Sequence, residues 1–173
     1  PDAGGARDDG VDAMRMLVVL LALAGPVAAQ DLVFSAAITE SCLASGEAEA
    51  CVGEAAVACM EQSDGGQTTV GMGGCLDKEL TYWDGQLNAA YRAVMARAKA
   101  VDAEMQDLGA TVSSQAKALL AMQRAWIVFR DEKCSYERSQ WGGGTGGGPA
   151  TLDCLMQETA RQTFYLRDAS EMN

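Results

Sequence analysis

The sequence predicts an all-α fold: a disulfide-stapled helical bundle with two long antiparallel helices and shorter flanking helices. Three observations carry that prediction. Apolar residues recur at steps of three and four over long stretches, the spacing of one helix face. No stretch alternates convincingly as a strand does, and aromatic residues make up only 6% of the chain. Six cysteines, an even number, flank turn-forming segments between the helical stretches.

Taken in chain order, the first two segments are not expected to belong to the fold. Residues 1–13 are acidic and glycine-rich, and read as a mis-called upstream segment with translation starting at Met14 or Met16. Residues 14–29 have the three parts of a secretory signal peptide. Arg15 supplies the positive charge, Leu17 to Ala24 form an apolar run of eight, and Gly25-Pro26 precedes small residues ending at Ala29. Eight residues fall far short of the roughly 20 that span a bilayer, so the mature form is expected to carry no transmembrane anchor. The expected mature chain is a single helical domain, residues 30–173, placed in the periplasm or secreted.

Within it, residues 34–44 and 47–62 read as two short helices, and 63–73 as a Gly/Ser/Thr loop. From Cys75 to about Met105, Leu76, Leu80, Trp83, Leu87, Tyr91, Val94, Ala98 and Val101 line one face of the first long helix. Gly109 and residues 111–114 mark a break with capping hydroxyls. The second long helix covers about 113–139, with Leu119, Met122, Trp126, Ile127 and Phe129 on its apolar side. Residues 141–149 carry a GGGTGGG run and are read as non-helical. A last helix runs over about 151–169, with Leu152, Leu155, Thr159, Phe164 and Leu166 turned inward.

Many pairings of six cysteines are possible, and sequence alone selects none of them. Their placement around turns favours neighbours: Cys42–Cys51 around Ser45-Gly46, Cys59–Cys75 around residues 63–66, and Cys134–Cys154 around the glycine run. An exported chain meets an oxidising compartment, where such bridges persist.

Composition excludes much chemistry. The chain has no histidine, which removes Ser-His-Asp and Cys-His catalysis and every His-containing zinc site. Thirteen basic against 24 acidic residues give a formal charge of −11, and residues 30–173 alone carry −9, so nucleic acid is not an expected partner. Ser114-Gln115-Ala116-Lys117 matches S-x-x-K, but the further motifs of that chemistry are absent and helix capping is the better reading. The glycine run follows a helix and lacks a lysine, so it is no phosphate loop. Asp131-Glu132 reads as solvated charge, and Asp102, Glu104 and Asp107 lack calcium-loop spacing. The chain is therefore read as a binding protein and not an enzyme, with no catalytic, metal or cofactor site.

The informative residues are polar ones within the apolar faces. Asp84, Asn88 and Tyr91 share a face of the first long helix; Gln123, Trp126, Arg130 and Cys134 share one on the second; Arg161 sits in the last helix. Together they are read as a structural polar network, in which an acid on one helix faces an arginine on another.

The same residues carry a resemblance. Cys75, Asp84-x-x-Leu87-Asn88-x-x-Tyr91, Gln123-x-x-Trp126-x-x-x-Arg130-Asp131-x-x-Cys134, the glycine run, Cys154-Leu155 and Thr159-Ala160-Arg161 resemble the N-terminal domain of the LprI-like lysozyme inhibitor family, over about residues 59–167. The resemblance implies an exported bacterial protein, helical and disulfide-linked, that protects the cell wall by binding lysozyme. The segment holding Cys42 and Cys51 departs from it as an N-terminal extension. The shared motif reads as a fold signature, so it is not carried over as an inhibitory site. The expected partner is a cationic lysozyme, which the acidic charge would attract; the alternative is an envelope interaction module for another protein. The segment 141–151, with Trp141, Gly144, Thr145, Gly146 and Thr151, is the candidate partner loop, against the plainer reading of a connector.

Overall fold

A computed structural model describes residues 31–46 and 48–171, so the expected upstream segment 1–13 and signal peptide 14–29 lie outside the described residues. These form five α-helices and no strand: α1 (Ala37–Leu43), α2 (Glu54–Gln62), α3 (Thr69–Asp107), α4 (Gln115–Ser139) and α5 (Gly147–Glu171). A short 3-10 helix, Ala48–Cys51, precedes α2. None of the helices is long and apolar enough to cross a membrane.

The first helical stretches are shorter than their composition predicts. The segment read as one helix over 47–62 divides at Gly53, whose φ of +100° only glycine adopts readily. The 34–44 helix is confined to α1.

The α3 helix is longer than its periodicity indicates, starting at Thr69 inside the segment read as a loop. Thr68 caps it, its hydroxyl accepting from the Gly71 backbone N–H at 3.1 Å. The glycines there serve close approach. A Cβ on Gly71 would lie 2.2 Å from the Gly65 carbonyl oxygen, and one on Gly66 would lie 2.3 Å from that of Met60. A side chain at either position would push the α2–α3 turn off the start of α3.

The last helix begins at Gly147, four residues before the expected start, and takes in Gly148 and Pro149. Proline is tolerated there because the first backbone N–H groups of a helix have no intrahelical acceptor. Its 25 residues equal those of α4, so the bundle has three long helices.

Three disulfides join Cys42 to Cys51, Cys59 to Cys75 and Cys134 to Cys154. The core lies mainly between α2, α3 and α5, around Ala56, Leu76, Trp83, Met156 and Ala160. Trp83 is fully buried and meets Phe164 edge-on, centroids 5.2 Å apart. Burying a residue this large contributes to the drive to pack α5 on α3.

The α4 helix is different. Cys134 is its one buried residue among those described. It docks by a narrow seam of half-buried side chains that includes Met122, Gln123, Trp126 and Arg130. Ile127 and Phe129, expected inward, are 41% and 58% exposed. The seam takes only one row of α4, and both residues fall beside it.

Candidate functional site

The 141–151 segment does not form a separate loop on the surface. Trp141, Gly144 and Thr145 are exposed, Gly146 is half-buried, and Thr151 already belongs to α5, its hydroxyl donating to the Gly147 carbonyl at 2.7 Å. The turn is compact: Gly144 N–H donates to the Trp141 carbonyl at 2.8 Å. The Trp141 ring lies on Gly146, where an added Cβ would come within 2.3 Å of it. This fixes the indole half out of the protein, 51% exposed.

Beneath that ring runs an open groove of about 480 Å³, lined by Val57, Met60, Met72, Trp141, Pro149 and Met156 among others. Its walls come from α2, the start of α3, the α4–α5 turn and the start of α5. The Cys59–Cys75 bridge ties two of these elements together, and Cys134–Cys154 links the helices on either side of the turn. The surface is apolar, deformable at its methionines and rigid at its indole, a combination that suits protein contact.

Two carboxylates hold the surrounding helices in place. Glu79 is fully buried. Its Oε1 accepts from Gly53 N–H (2.8 Å), Trp83 Nε1–H (3.1 Å) and the Thr39 hydroxyl (3.3 Å). Its Oε2 accepts from Ala56 N–H at 2.7 Å. One side chain thus joins α1, the start of α2 and the core tryptophan. Glu158, on α5 and nearly buried, takes Lys133 of α4 at 2.7 Å and Arg161 of its own helix. Burial alone would raise the Glu158 pKa, but the hydrogen bonds and charges of Lys133 and Arg161 outweigh it and hold the carboxyl below the usual range.

Neither glutamate stood out in the sequence, where acidic residues are plentiful. The missed signal for Glu79 is its spacing, three after Leu76 and four before Trp83, within the stripe that becomes core.

The residues read as one polar network fall into separate groups. Asn88 donates to Asp84 at 3.1 Å on the exposed side of α3. Arg130 stands 5.0 Å from the Trp126 ring centroid, pairs with Asp131 at 2.8 Å and reaches the Thr159 hydroxyl at 3.5 Å. Gln123 accepts from Gln162 of α5 at 3.0 Å. Arg161 belongs with Glu158. Asp84 and Arg130 line one cleft of about 270 Å³ with Asp77, Leu80, Thr81 and Leu155, but no ion pair joins them. Tyr91 is half-buried on α3.

The remaining chemistry is sparse. Among the described residues no group of three or more acidic or cysteine side chains is arranged to hold a metal ion, and every cysteine is disulfide-bonded. In the S-x-x-K stretch, the Ser114 hydroxyl accepts from the backbone N–H of Lys117 at 3.1 Å and donates to Asp102 at 2.6 Å, so it caps α4.

The chain is similar in sequence to proteins of two bacteria. A Rhizobium meliloti (strain 1021) protein, "Uncharacterized protein R02472", is 33% identical over 97 residues, covering 56% of this chain and 70% of the relative. A Rhodobacter capsulatus protein, "Uncharacterized 17.7 kDa protein in puhA 5'region", is 27% identical over 160 residues, 90% of this chain and 96% of the relative. No solved structure matches. The profile described as "Lysozyme inhibitor LprI" matches residues 59–166, from the first cysteine of the α2–α3 bridge to the last buried leucine of α5. With that match over more than half of its length, the chain belongs to the LprI lysozyme inhibitor family.

Proposed function

We propose that this protein is an exported inhibitor of lysozyme that protects the cell wall by binding, and that it binds through the groove beneath Trp141. Membership of a family described as lysozyme inhibitors is what supports lysozyme as the partner. The observation that supports the site is the half-exposed indole above an open apolar groove whose walls are held by disulfides. Exposed aromatic anchors on a rigid frame lose little conformational entropy on binding. Charge adds encounter. Residues 31–64 contain acidic but no basic residues, and α2, which forms one wall, lies within them. A cationic enzyme would be drawn to that side, with an association rate that falls as salt rises.

The test is the clearing of a cell-wall suspension by lysozyme. The protein is expected to slow clearing, less so at high salt. Trp141→Ala is expected to raise the concentration needed for half-inhibition by about tenfold or more, consistent with loss of an aromatic anchor, with an unchanged circular dichroism melt. No effect of the parent protein on clearing would reject the lysozyme reading in favour of an interaction module for another envelope protein. Clearing without added lysozyme would reject binding in favour of hydrolysis.

A further inference from the structure

Outside the groove, α4 carries a row of side chains spaced by four: Leu120, Arg124, Val128, Glu132 and Tyr136. All five are exposed, Val128 at 63% and Tyr136 at 68%. The row reads apolar, basic, apolar, acidic, apolar, and is symmetric in type about Val128 except that the two charges are opposite. It spans about 24 Å of helix.

Neither charge has a partner in its own helix. The residues three and four away from Arg124 are Leu120, Ala121, Ile127 and Val128, and those around Glu132 are Val128, Phe129, Ser135 and Tyr136. No ion pair or hydrogen bond engages Arg124 or Glu132 among the described residues. Phe129 and Ile127 widen the apolar surface beside the row, and Ala121 and Ala125 leave room for a second backbone.

We propose that this face of α4 pairs with the same face of a second copy, the two helices antiparallel about a twofold axis at Val128. Under that axis, position 124 meets 132. Arg124 faces Glu132 of the other copy twice and Val128 meets itself, while Leu120 and Tyr136, each about 80° round the helix from Val128, lie at the margins of the contact. Such an isologous contact repeats each interaction and closes on itself.

The pattern selects this occupant. An anionic lipid surface would attract Arg124 but repel Asp131 and Glu132 on the same exposed side. An unlike protein gives no reason for opposite charges at equal distances from a central apolar residue. The α4 face shares no residue with the lining of the Trp141 groove.

Sedimentation equilibrium of the purified protein at low salt, over a wide concentration series, tests the pairing. The parent is expected to show a reversible monomer–dimer equilibrium. R124E and E132R are each expected to weaken it by about tenfold or more, because each places like charges opposite one another. An equimolar mixture of the two single variants restores opposite charges across the axis, as does the double variant R124E/E132R, and both are expected to recover the dimer. Circular dichroism melts at dilute concentration check that each variant is folded. A parent that is monomeric throughout the series, or binds anionic vesicles as a monomer, overturns the proposal. So do single variants that dimerise like the parent, or a double variant that stays monomeric.

Discussion

Glu79, in the first half of α3, and Asp102, near its end, each accept backbone N–H groups from the start of another helix. Glu79 takes Gly53 and Ala56 at the start of α2; Asp102 takes Gln115 at 2.7 Å and Ala116 at 3.1 Å at the start of α4. Each uses a carboxylate to satisfy donors that a helix start leaves free and that carry the positive end of its dipole. The surroundings differ. Glu79 is sealed in the core with two further donors. Asp102 is near solvent, and water can take over its bonds. A carboxylate of one type thus clamps one end of the molecule and trims the other. The end near Glu79 also holds the Cys59–Cys75 bridge and most of the core, whereas α4 hangs on a narrow half-buried seam and one bridge.

The sharpest way to break this contrast is at Glu79. Glu79→Ala would leave two backbone N–H groups, an indole N–H and a hydroxyl without their acceptor. At about 1–3 kcal/mol for each unsatisfied buried donor, partly relieved by water entering, the expected loss is about 4 kcal/mol or more in urea unfolding. A loss below about 1 kcal/mol would show that the end near Glu79 is not clamped through it.

The bridge at α4 comes next. Replacing Cys134 and Cys154 together by serine opens a loop with a sequence separation of 20, for which chain entropy gives about 3 kcal/mol. Hydrogen exchange should show the loss concentrated in α4, with the amides of α2 and the first half of α3 still protected. Uniform loss of protection would mean that the two regions are not separable.

The smallest effect is expected at Asp102. The Ser114 hydroxyl and the Gln115 and Ala116 N–H groups hold its carboxyl below the ordinary aspartate range, and Lys117 adds to this. A lowered folded-state pKa stabilises the fold above the unfolded value, and that stabilisation is lost as pH falls through the lower folded-state value. Asp102→Asn should therefore speed exchange at Gln115 and Ala116 at neutral pH, barely change global unfolding, and converge with the parent in strong acid. Its carboxyl resonance should titrate below that of an unstructured aspartate; a resonance at the ordinary value would remove Asp102 as a cap.

Much of this was legible beforehand, and the rest has identifiable causes. Leu76, Trp83 and Leu87 are spaced as one helix face and lie in the core. Cysteines flanking turns point to the pairs found in the structure. Helix starts were misplaced where glycine is dense, since its abundance signals flexibility, whereas here Gly66 and Gly71 admit close backbone contact and Gly147 opens a helix. Ile127 and Phe129 were misread because hydrophobicity says that a side chain favours burial, not that a neighbour exists to bury it. The candidate partner loop was placed by its Trp and glycines, but the groove beneath it draws its methionines from three distant segments.

The sequence by itself determined what depends on spacing along one chain: the helical class, the long apolar faces and the excess of negative charge, while turn placement only favoured neighbouring cysteines as partners. Only the tertiary structure decided which acidic residues are buried hubs, how the polar residues divide into groups, where the groove lies and which face of α4 is left uncovered. The physical reason is range. Periodicity and turn chemistry act over a few residues, whereas a buried carboxylate, a shared groove or an unpartnered face is defined by what another segment brings to it.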